Sequence, residues 1–195
     1  MSEFQRETAV RVFAHELRES HHTVKEGDDQ YTPTYLITPT GARCNRVFAV
    51  GVLTEKDDIG QDTEYWRARV TDPTGAFIIY AGQYQQEAAR SLVDAEVPSI
   101  VAVVGKPNVY ETPDGTTMTS IRAESVSVVD DITRDLWVLE TVRHTFKRME
   151  DLDGDSEDAK IAREIYELDR GAYREVLMKA AKSLRSLELQ VEDVI

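Results

Sequence analysis

Hydrophobic and polar residues alternate along residues 65–84, whose sequence is YWRARVTDPTGAFIIYAGQY. One face of this period-two pattern is apolar and comprises Trp66, Ala68 and Val70. The other face is polar and comprises Tyr65, Arg67, Arg69 and Thr71. The segment Asp72-Pro73-Thr74-Gly75 suits a tight turn, because proline presets φ and glycine accepts unusual backbone angles. The stretch therefore predicts two strands joined in a hairpin, with one face in a core.

The second arm of the hairpin extends this division into two faces. Phe77, Ile79 and Ala81 fall on the apolar side, which places Tyr80 beside the arginines. Rings together with guanidinium groups are typical of single-stranded nucleic-acid binding, since bases stack on rings and guanidinium groups pair with phosphates. Alternatively, the rings are ordinary strand formers and the arginines aid solubility. We interpret the face as a nucleic-acid-binding site comprising Tyr65, Arg67, Arg69 and Tyr80, with Tyr84, Lys106 and Tyr110 as further candidates.

The same patterns extend on both sides of the hairpin. The predicted elements are a strand over 47–53, the hairpin, a helix over 83–95, a fourth strand over 97–104 and, beyond a second hairpin turn at 112–115, a fifth strand over 116–129. Gly51 predicts a bulge or sharp bend in the first strand, and Gly105-Lys106-Pro107 predicts a break after the fourth. The acidic residues 55–64 predict a solvated loop.

Both ends of the chain predict helices. Val10, Phe13, Ala14 and Leu17 have helical spacing within about 3–20, and a polar loop is predicted to follow from His21 to Asp29. Beyond the barrel, a helix that starts near Asp131–Thr133 carries an apolar stripe of Leu136, Leu139, Val142, Phe146 and Met149. Two further helices are predicted over 157–170, closed by Gly171, and over 173–187.

The predicted order of strand, strand, strand, helix, strand, strand is that of the OB-fold, a five-stranded barrel that binds oligonucleotides. The fold class is a β barrel plus α: a five-stranded OB-fold with an N-terminal helix and a C-terminal helical domain. We expect an N-terminal helical arm and loop over 1–30, the barrel over 31–131 and the helical domain over 132–195.

The net charge of the chain is unusual for a nucleic-acid-binding protein. The 195 residues carry 23 basic and 36 acidic side chains, a net charge of −13, whereas nucleic-acid binders are usually basic. A composition rich in acids and poor in lysine indicates a proteome adapted to high salt, although an ordinary acidic cytosolic protein remains an alternative. In concentrated salt, counterion release contributes little to DNA binding, so stacking matters more.

Several chemistries are not supported by the sequence. The residue four positions after His15 is Glu19, so the helical zinc motif is incomplete. Counting from Asp151, an EF-hand loop would need glycine and glutamate where Ser156 and Ala162 stand. The single cysteine, Cys44, excludes a disulfide within the chain. We therefore expect no metal, no cofactor and no enzyme activity. The charged N-terminus and the absence of a membrane-length apolar run predict a cytoplasmic protein.

Two segments, WRARVTDPTGAFIIYAGQYQ and VAVVGKPNVYETPDG, resemble the barrel of archaeal replication protein A-associated proteins. The resemblance covers nearly the whole chain, including the helical tail, and the composition is similar to that of members from salt-loving archaea. It implies a role on single-stranded DNA in DNA replication or repair, without enzyme activity and in a hetero-oligomer with a replication protein A subunit.

For the helix after the barrel, the resemblance implies that the apolar stripe is a partner interface. The alternative is that the stripe packs on its own chain. For the whole protein, the alternative function is an assembly or scaffold subunit whose barrel contacts protein rather than DNA.

Overall fold

The computed structural model describes residues 7–27 and 32–185. In chain order, the elements are β1 (Val10–Arg11), α1 (Ala14–Glu19), β2 (His22–Lys25), β3 (Thr34–Ile37), β4 (Arg43–Cys44), β5 (Val47–Asp58), β6 (Trp66–Asp72), β7 (Gly75–Ala81), α2 (Gln86–Asp94), β8 (Ser99–Glu111), β9 (Thr117–Val128), α3 (Asp131–Asp151), α4 (Glu157–Ile165) and α5 (Arg170–Ala181). The predicted order of three strands, a helix and two strands is found in β5, β6, β7, α2, β8 and β9.

Five of these strands close into a barrel. β5 pairs antiparallel with both β6 and β8, β6 pairs antiparallel with β7, β7 pairs parallel with β9, and β9 pairs antiparallel with β8. Because each of the five has two partners, the sheet returns on itself. The five-stranded barrel predicted from the order of elements is confirmed, and inward side chains such as Val70, Phe77, Ile79 and Ile121 fill it.

Two barrel strands are longer than the sequence predicted. β5 continues through acidic residues to Asp58, so the loop expected over 55–64 is reduced to 59–65. β8 continues through the expected break at Gly105-Lys106-Pro107, because a bulge between Val104 and Gly105 lets the strand bend while it stays paired with β9. A Cβ at Gly105 would lie 2.3 Å from the carbonyl oxygen of Arg122, so only glycine fits this close approach.

The irregularity expected at Gly51 lies elsewhere in β5. The register shifts between Leu53 and Glu55, where the strand carries one extra residue. Gly51 itself allows close strand contact, since a Cβ there would lie 2.5 Å from the carbonyl oxygen of Thr71. Beyond the bulge, β5 residues that would otherwise face the core face outward, and the reverse. The bulge therefore decides which β5 side chains lie on the outer barrel surface.

The N-terminal segment is not one long helix. Val10 and Arg11 form β1, which pairs parallel with the start of β5, and from residue 7 to residue 20 the helix is limited to α1. The first turn of α1 is held by the barrel, because the amide of Ala14 donates to the carboxylate of Asp72 over 2.6 Å. Part of the segment expected to be a polar loop forms a strand instead. This strand, β2, pairs with β3, and β4 pairs with the other edge of β3, which makes a small three-stranded sheet.

The long helix α3 packs its apolar stripe on its own chain. Its N-cap is Asp130, whose carboxylate accepts a hydrogen bond from the amide of Thr133 over 2.8 Å. Leu139, Val142 and Met149 are buried in the chain's own core, and Phe146 packs against that core but is only partly buried. Leu136 differs, since 48% of it is exposed. The predicted partner interface is therefore corrected for the three buried residues and stays a prediction for Leu136 and Phe146.

The last two helices begin and end at other residues than expected. α4 ends at Ile165, and Gly171 lies in the first turn of α5 instead of closing the preceding helix. Asp169 caps α5 by accepting from the amide of Ala172. α5 packs on α3, whereas α4 packs on β3, so the three helices do not bury their apolar faces in one shared bundle. Leu187, part of the third predicted helix, lies outside the described residues.

Candidate nucleic-acid interface

A row of side chains crosses the outer surface of the barrel at right angles to the strands. Strand register places neighbouring members directly opposite one another in the order Asp57, Arg67, Tyr80, Arg122 and Lys106, on β5, β6, β7, β9 and β8. Residues in register point to the same face. Strands lie about 4.8 Å apart, so the row from Arg67 to Lys106 extends about 14 Å along the sheet. We call these five residues the cross-strand row.

The outward direction of the row follows from the residues beside it. Ala68, Ile79 and Ile121 alternate with row members along their strands and are fully buried in the barrel. Because strand side chains alternate between faces, burial of these three turns Arg67, Tyr80 and Arg122 toward solvent. The two faces inferred from the alternation of the hairpin are thus present in the structure.

Two tyrosines form a flat surface at the row. The rings of Tyr65 and Tyr80 lie 5.7 Å apart, inclined by only 14°, and Tyr65 is 43% exposed. The Tyr65 ring rests on the backbone of Gly82, where a Cβ would come within 2.7 Å of its Cδ2 atom. Its amide donates to Asp58 over 3.0 Å, and this bond, with another from the Gly60 amide, lowers the pKa of that carboxyl. The ring pair is therefore held in place without a ligand.

Tyr110 joins this group from β8. The pKa of the Tyr110 hydroxyl is raised, mainly by partial burial and to a smaller extent by the neighbouring Tyr80. The positive charge of the nearby Arg67 lowers this pKa but does not outweigh the other two effects. The phenol consequently stays neutral at physiological pH and does not repel a phosphate. We call Tyr65, Tyr80 and Tyr110 the ring cluster; Arg67 lies near enough to the Tyr110 hydroxyl to affect its pKa.

The remaining predicted site residues lie around this cluster. Tyr84, which is 86% exposed, shares a depression of about 480 Å³ with Lys106 and Arg122 at the far end of the row. Arg69 lies on the same face of β6 as Arg67 but one pair further along, opposite Ile78 and Glu55. The fold thus brings Tyr65, Arg67, Tyr80 and Tyr110 together, joins Tyr84 to Lys106, and leaves Arg69 at the margin.

Sequence reasoning missed three charged residues of this surface. Arg122 lies between Ile121 and Ala123 in the sequence, and only the parallel pairing of β7 with β9 places it beside Tyr80. Glu55 and Asp57 were assigned to a solvated loop. They are instead strand residues opposite Arg69 and Arg67.

The cations of the interface differ from the structural arginines. Arg43, Arg46 and Arg148 are ion-paired with Asp158, Glu124 and Glu16. Among the described residues, the cations with no ion pair within 4.0 Å include Arg67, Arg69, Lys106 and Arg122. These four can therefore pair with a phosphate without breaking an internal salt bridge.

Other functional chemistry finds little support in the described part of the chain. No group of three or more histidine, cysteine, aspartate or glutamate side chains there is placed to hold a metal ion. Burial raises the pKa of the Cys44 thiol to about 12, so it is a packing residue rather than a nucleophile. None of the described helices combines the length and apolar character needed to span a bilayer.

Comparison with solved structures identifies the architecture. A chain of the crystal structure of the S. pombe Stn1-ten1 complex matches with a TM-score of 0.59 and 13% identity, covering 82% of this chain and 100% of that chain. The single-stranded DNA-binding protein SSBb of Mycobacterium smegmatis matches with a TM-score of 0.38 and 18% identity, covering 46% of this chain and 88% of that chain. No protein-family model and no curated protein matches the sequence. The first likeness shows the fold, an OB-type barrel with flanking helices.

Proposed function

We propose that this protein binds single-stranded DNA through the cross-strand row and the ring cluster. It acts without catalysis beside a replication protein A subunit in DNA replication or repair, in the cytoplasm of a salt-adapted archaeon. The observation that carries the proposal is the juxtaposition of the stacked pair Tyr65 and Tyr80 with the unpaired cations Arg67 and Arg122 on one outer barrel face.

The chemistry of this face suits an unpaired strand. Base stacking on an aromatic ring requires a base whose flat face is accessible, which a duplex provides only at its ends. The ring pair supplies the stacking surface, and Arg67 and Arg122 lie on either side of Tyr80, where phosphates on both sides of a stacked base would pass. Lys106 extends the cationic side of the row to β8.

A partner subunit is supported by a different surface. Ile132 and Leu136 are both about half exposed on α3 and stand four residues apart, so they lie on one side of the helix. The Stn1-ten1 structure is described as a complex, which supports the proposal that this chain also works in a hetero-oligomer. We propose that the partner contacts the start of α3 and not the stripe that the chain covers itself.

The same exposed apolar pair, together with the net charge of −13, favours the second candidate function. In that case the chain is an assembly subunit, and its barrel face contacts protein.

Fluorescence anisotropy with labelled oligo-dT separates the two functions. The purified chain is titrated in molar salt, with and without a replication protein A partner, and a duplex of equal length is the control. We expect saturable binding of oligo-dT by the chain alone and much weaker binding of the duplex. The assembly function is correct if the chain alone does not bind oligo-dT and the partner binds it equally well with and without the chain.

A single methyl group should test the ring pair. We expect Gly82→Ala to displace the Tyr65 ring, because the added Cβ would lie 2.7 Å from its Cδ2 atom, and to weaken oligo-dT binding by about 1 kcal/mol through lost stacking. Gly171→Ala, in the first turn of α5, is the matched control and should bind like wild type. Equal affinities for Gly82→Ala and wild type would show that the Tyr65 ring does not contact DNA.

A further inference from the structure

Two carboxylates stand directly opposite the two arginines of β6. Register pairs Asp57 with Arg67 and Glu55 with Arg69 on the outer face of the barrel, and all four side chains are exposed. Directly opposite residues in an antiparallel pair have Cβ atoms about 5 Å apart. Each of the two β6 arginines therefore has an acidic side chain directly opposite it on β5.

The bulge in β5 creates this arrangement. Val52 pairs with Thr71 and faces outward, so unbroken alternation would turn Thr54 and Lys56 outward and Glu55 and Asp57 inward. The extra residue between Leu53 and Glu55 reverses the alternation. As a result, the β6 arginines face two carboxylates instead of one lysine.

Lys56 occupies the opposite face because of the same bulge. It pairs with the buried Ala68, and its ammonium group donates to the carbonyl oxygens of Leu92, Val93 and Ala95 at 2.8, 2.8 and 2.7 Å. Those carbonyls end α2, where a cation is favourable. One inserted residue thus removes a positive charge from the interface and adds two negative ones.

The carboxylates are close to the arginines but are not locked to them. Within the described residues, neither Asp57 nor Glu55 forms an ion pair within 4.0 Å. The arginines can still turn toward a ligand, but the two negative charges offset the two positive charges of β6 in the field that a phosphate meets there.

We propose that Glu55 and Asp57 make the interface selective for single strands over duplex DNA. The inference rests on the proposed function and adds a specificity device to it. Binding to duplex DNA without base contacts depends on phosphate neutralisation, so offsetting the charges of Arg67 and Arg69, two of the four available cations, lowers its driving force. A single strand still gains stacking on Tyr65 and Tyr80, which the carboxylates do not oppose.

The test is a gain of binding, which loss of folding cannot imitate. Glu55→Gln with Asp57→Asn removes both charges with little change of shape, and Glu150→Gln with Glu164→Gln makes the same change of net charge at exposed positions of α3 and α4. Oligo-dT and duplex affinities are measured across a salt series. We expect the first variant to bind duplex about tenfold more tightly at low salt and to steepen the salt slope by about 1 to 2, with a smaller gain for oligo-dT.

The outcomes separate this inference from the function on which it rests. Equal duplex affinities and salt slopes in the two variants would attribute any gain to net charge alone and overturn the role of Glu55 and Asp57. If wild type binds oligo-dT but the first variant shows no gain for duplex, selectivity has another origin. If wild type binds no oligo-dT at any salt concentration, the proposed function fails and the inference falls with it.

Discussion

Replacing Tyr80 with alanine should weaken oligo-dT binding by about 1 to 3 kcal/mol, the typical loss for one stacked base. The ring lies at the centre of the cross-strand row, between Arg67 and Arg122, and stacks with Tyr65. In molar salt we expect this loss to exceed that of Arg67→Ala, because salt weakens the phosphate contact but not the stacking. Lowering the salt should narrow the difference between the two variants. Anisotropy titrations across a salt series measure both quantities.

Two further variants control this prediction. Phe77 is buried in the barrel on the strand that carries Tyr80, so Phe77→Ala should lose about 3 to 5 kcal/mol of folding stability instead. Tyr80→Ala and Arg67→Ala should leave the thermal unfolding of the barrel nearly unchanged. A folded Tyr65/Arg67/Tyr80 triple alanine variant with wild-type affinity would show that this face does not bind DNA.

Replacing Arg148 with alanine should destabilise the fold by about 3 to 5 kcal/mol, since it would leave a buried carboxylate without its cation. Glu16 of α1 is 1% exposed and accepts a hydrogen bond from Arg148 of α3 over 2.9 Å. Arg148 also donates to the hydroxyls of Thr40 and Thr145, and the Thr40 hydroxyl donates to Glu16. This network joins the N-terminal helix to the long helix after the barrel, so its loss affects the whole core.

Urea denaturation of Arg148→Ala and a control on the same helix would measure this effect. Arg143 is exposed and pairs with Glu140 over 3.5 Å, so Arg143→Ala should change the free energy of unfolding by less than about 1 kcal/mol. Glu16→Gln with Arg148→Met should recover part of the loss, because it removes both charges together. An Arg148→Ala variant as stable as the Arg143→Ala control would mean that water or another group satisfies Glu16.

The barrel was predictable because its information is local. Period-two alternation in 65–81 depends only on which face of a strand is buried, and the turn at 72–75 depends on proline and glycine backbone preferences. The order of elements followed from these local patterns, and with it the fold class. The aromatic and cationic face of the hairpin followed in the same way, including Tyr65, Arg67 and Tyr80.

The helical parts were less predictable because an apolar stripe does not specify its partner. Leu139, Val142 and Met149 have the spacing of a buried helix face, which suits another subunit as well as the chain's own barrel. The chain's own core covers most of this stripe, and within α3, all of which the structure describes, the large apolar residues that stay exposed are Ile132 and Leu136, one turn apart. The short β1 was hidden for a similar reason, since its pairing with β5 depends on a strand more than thirty residues away.

The sequence by itself therefore determined the barrel, its inner and outer faces and the rings and arginines of the hairpin, because strand alternation and turn chemistry act over a few residues. Only the tertiary structure decided which distant residues join them. Arg122 and Lys106 reach Tyr80 through the β7–β9 and β9–β8 registers, and the β5 bulge brings Asp57 opposite Arg67. Register is set by packing across the whole barrel, and a one-residue shift reverses the face of every following side chain.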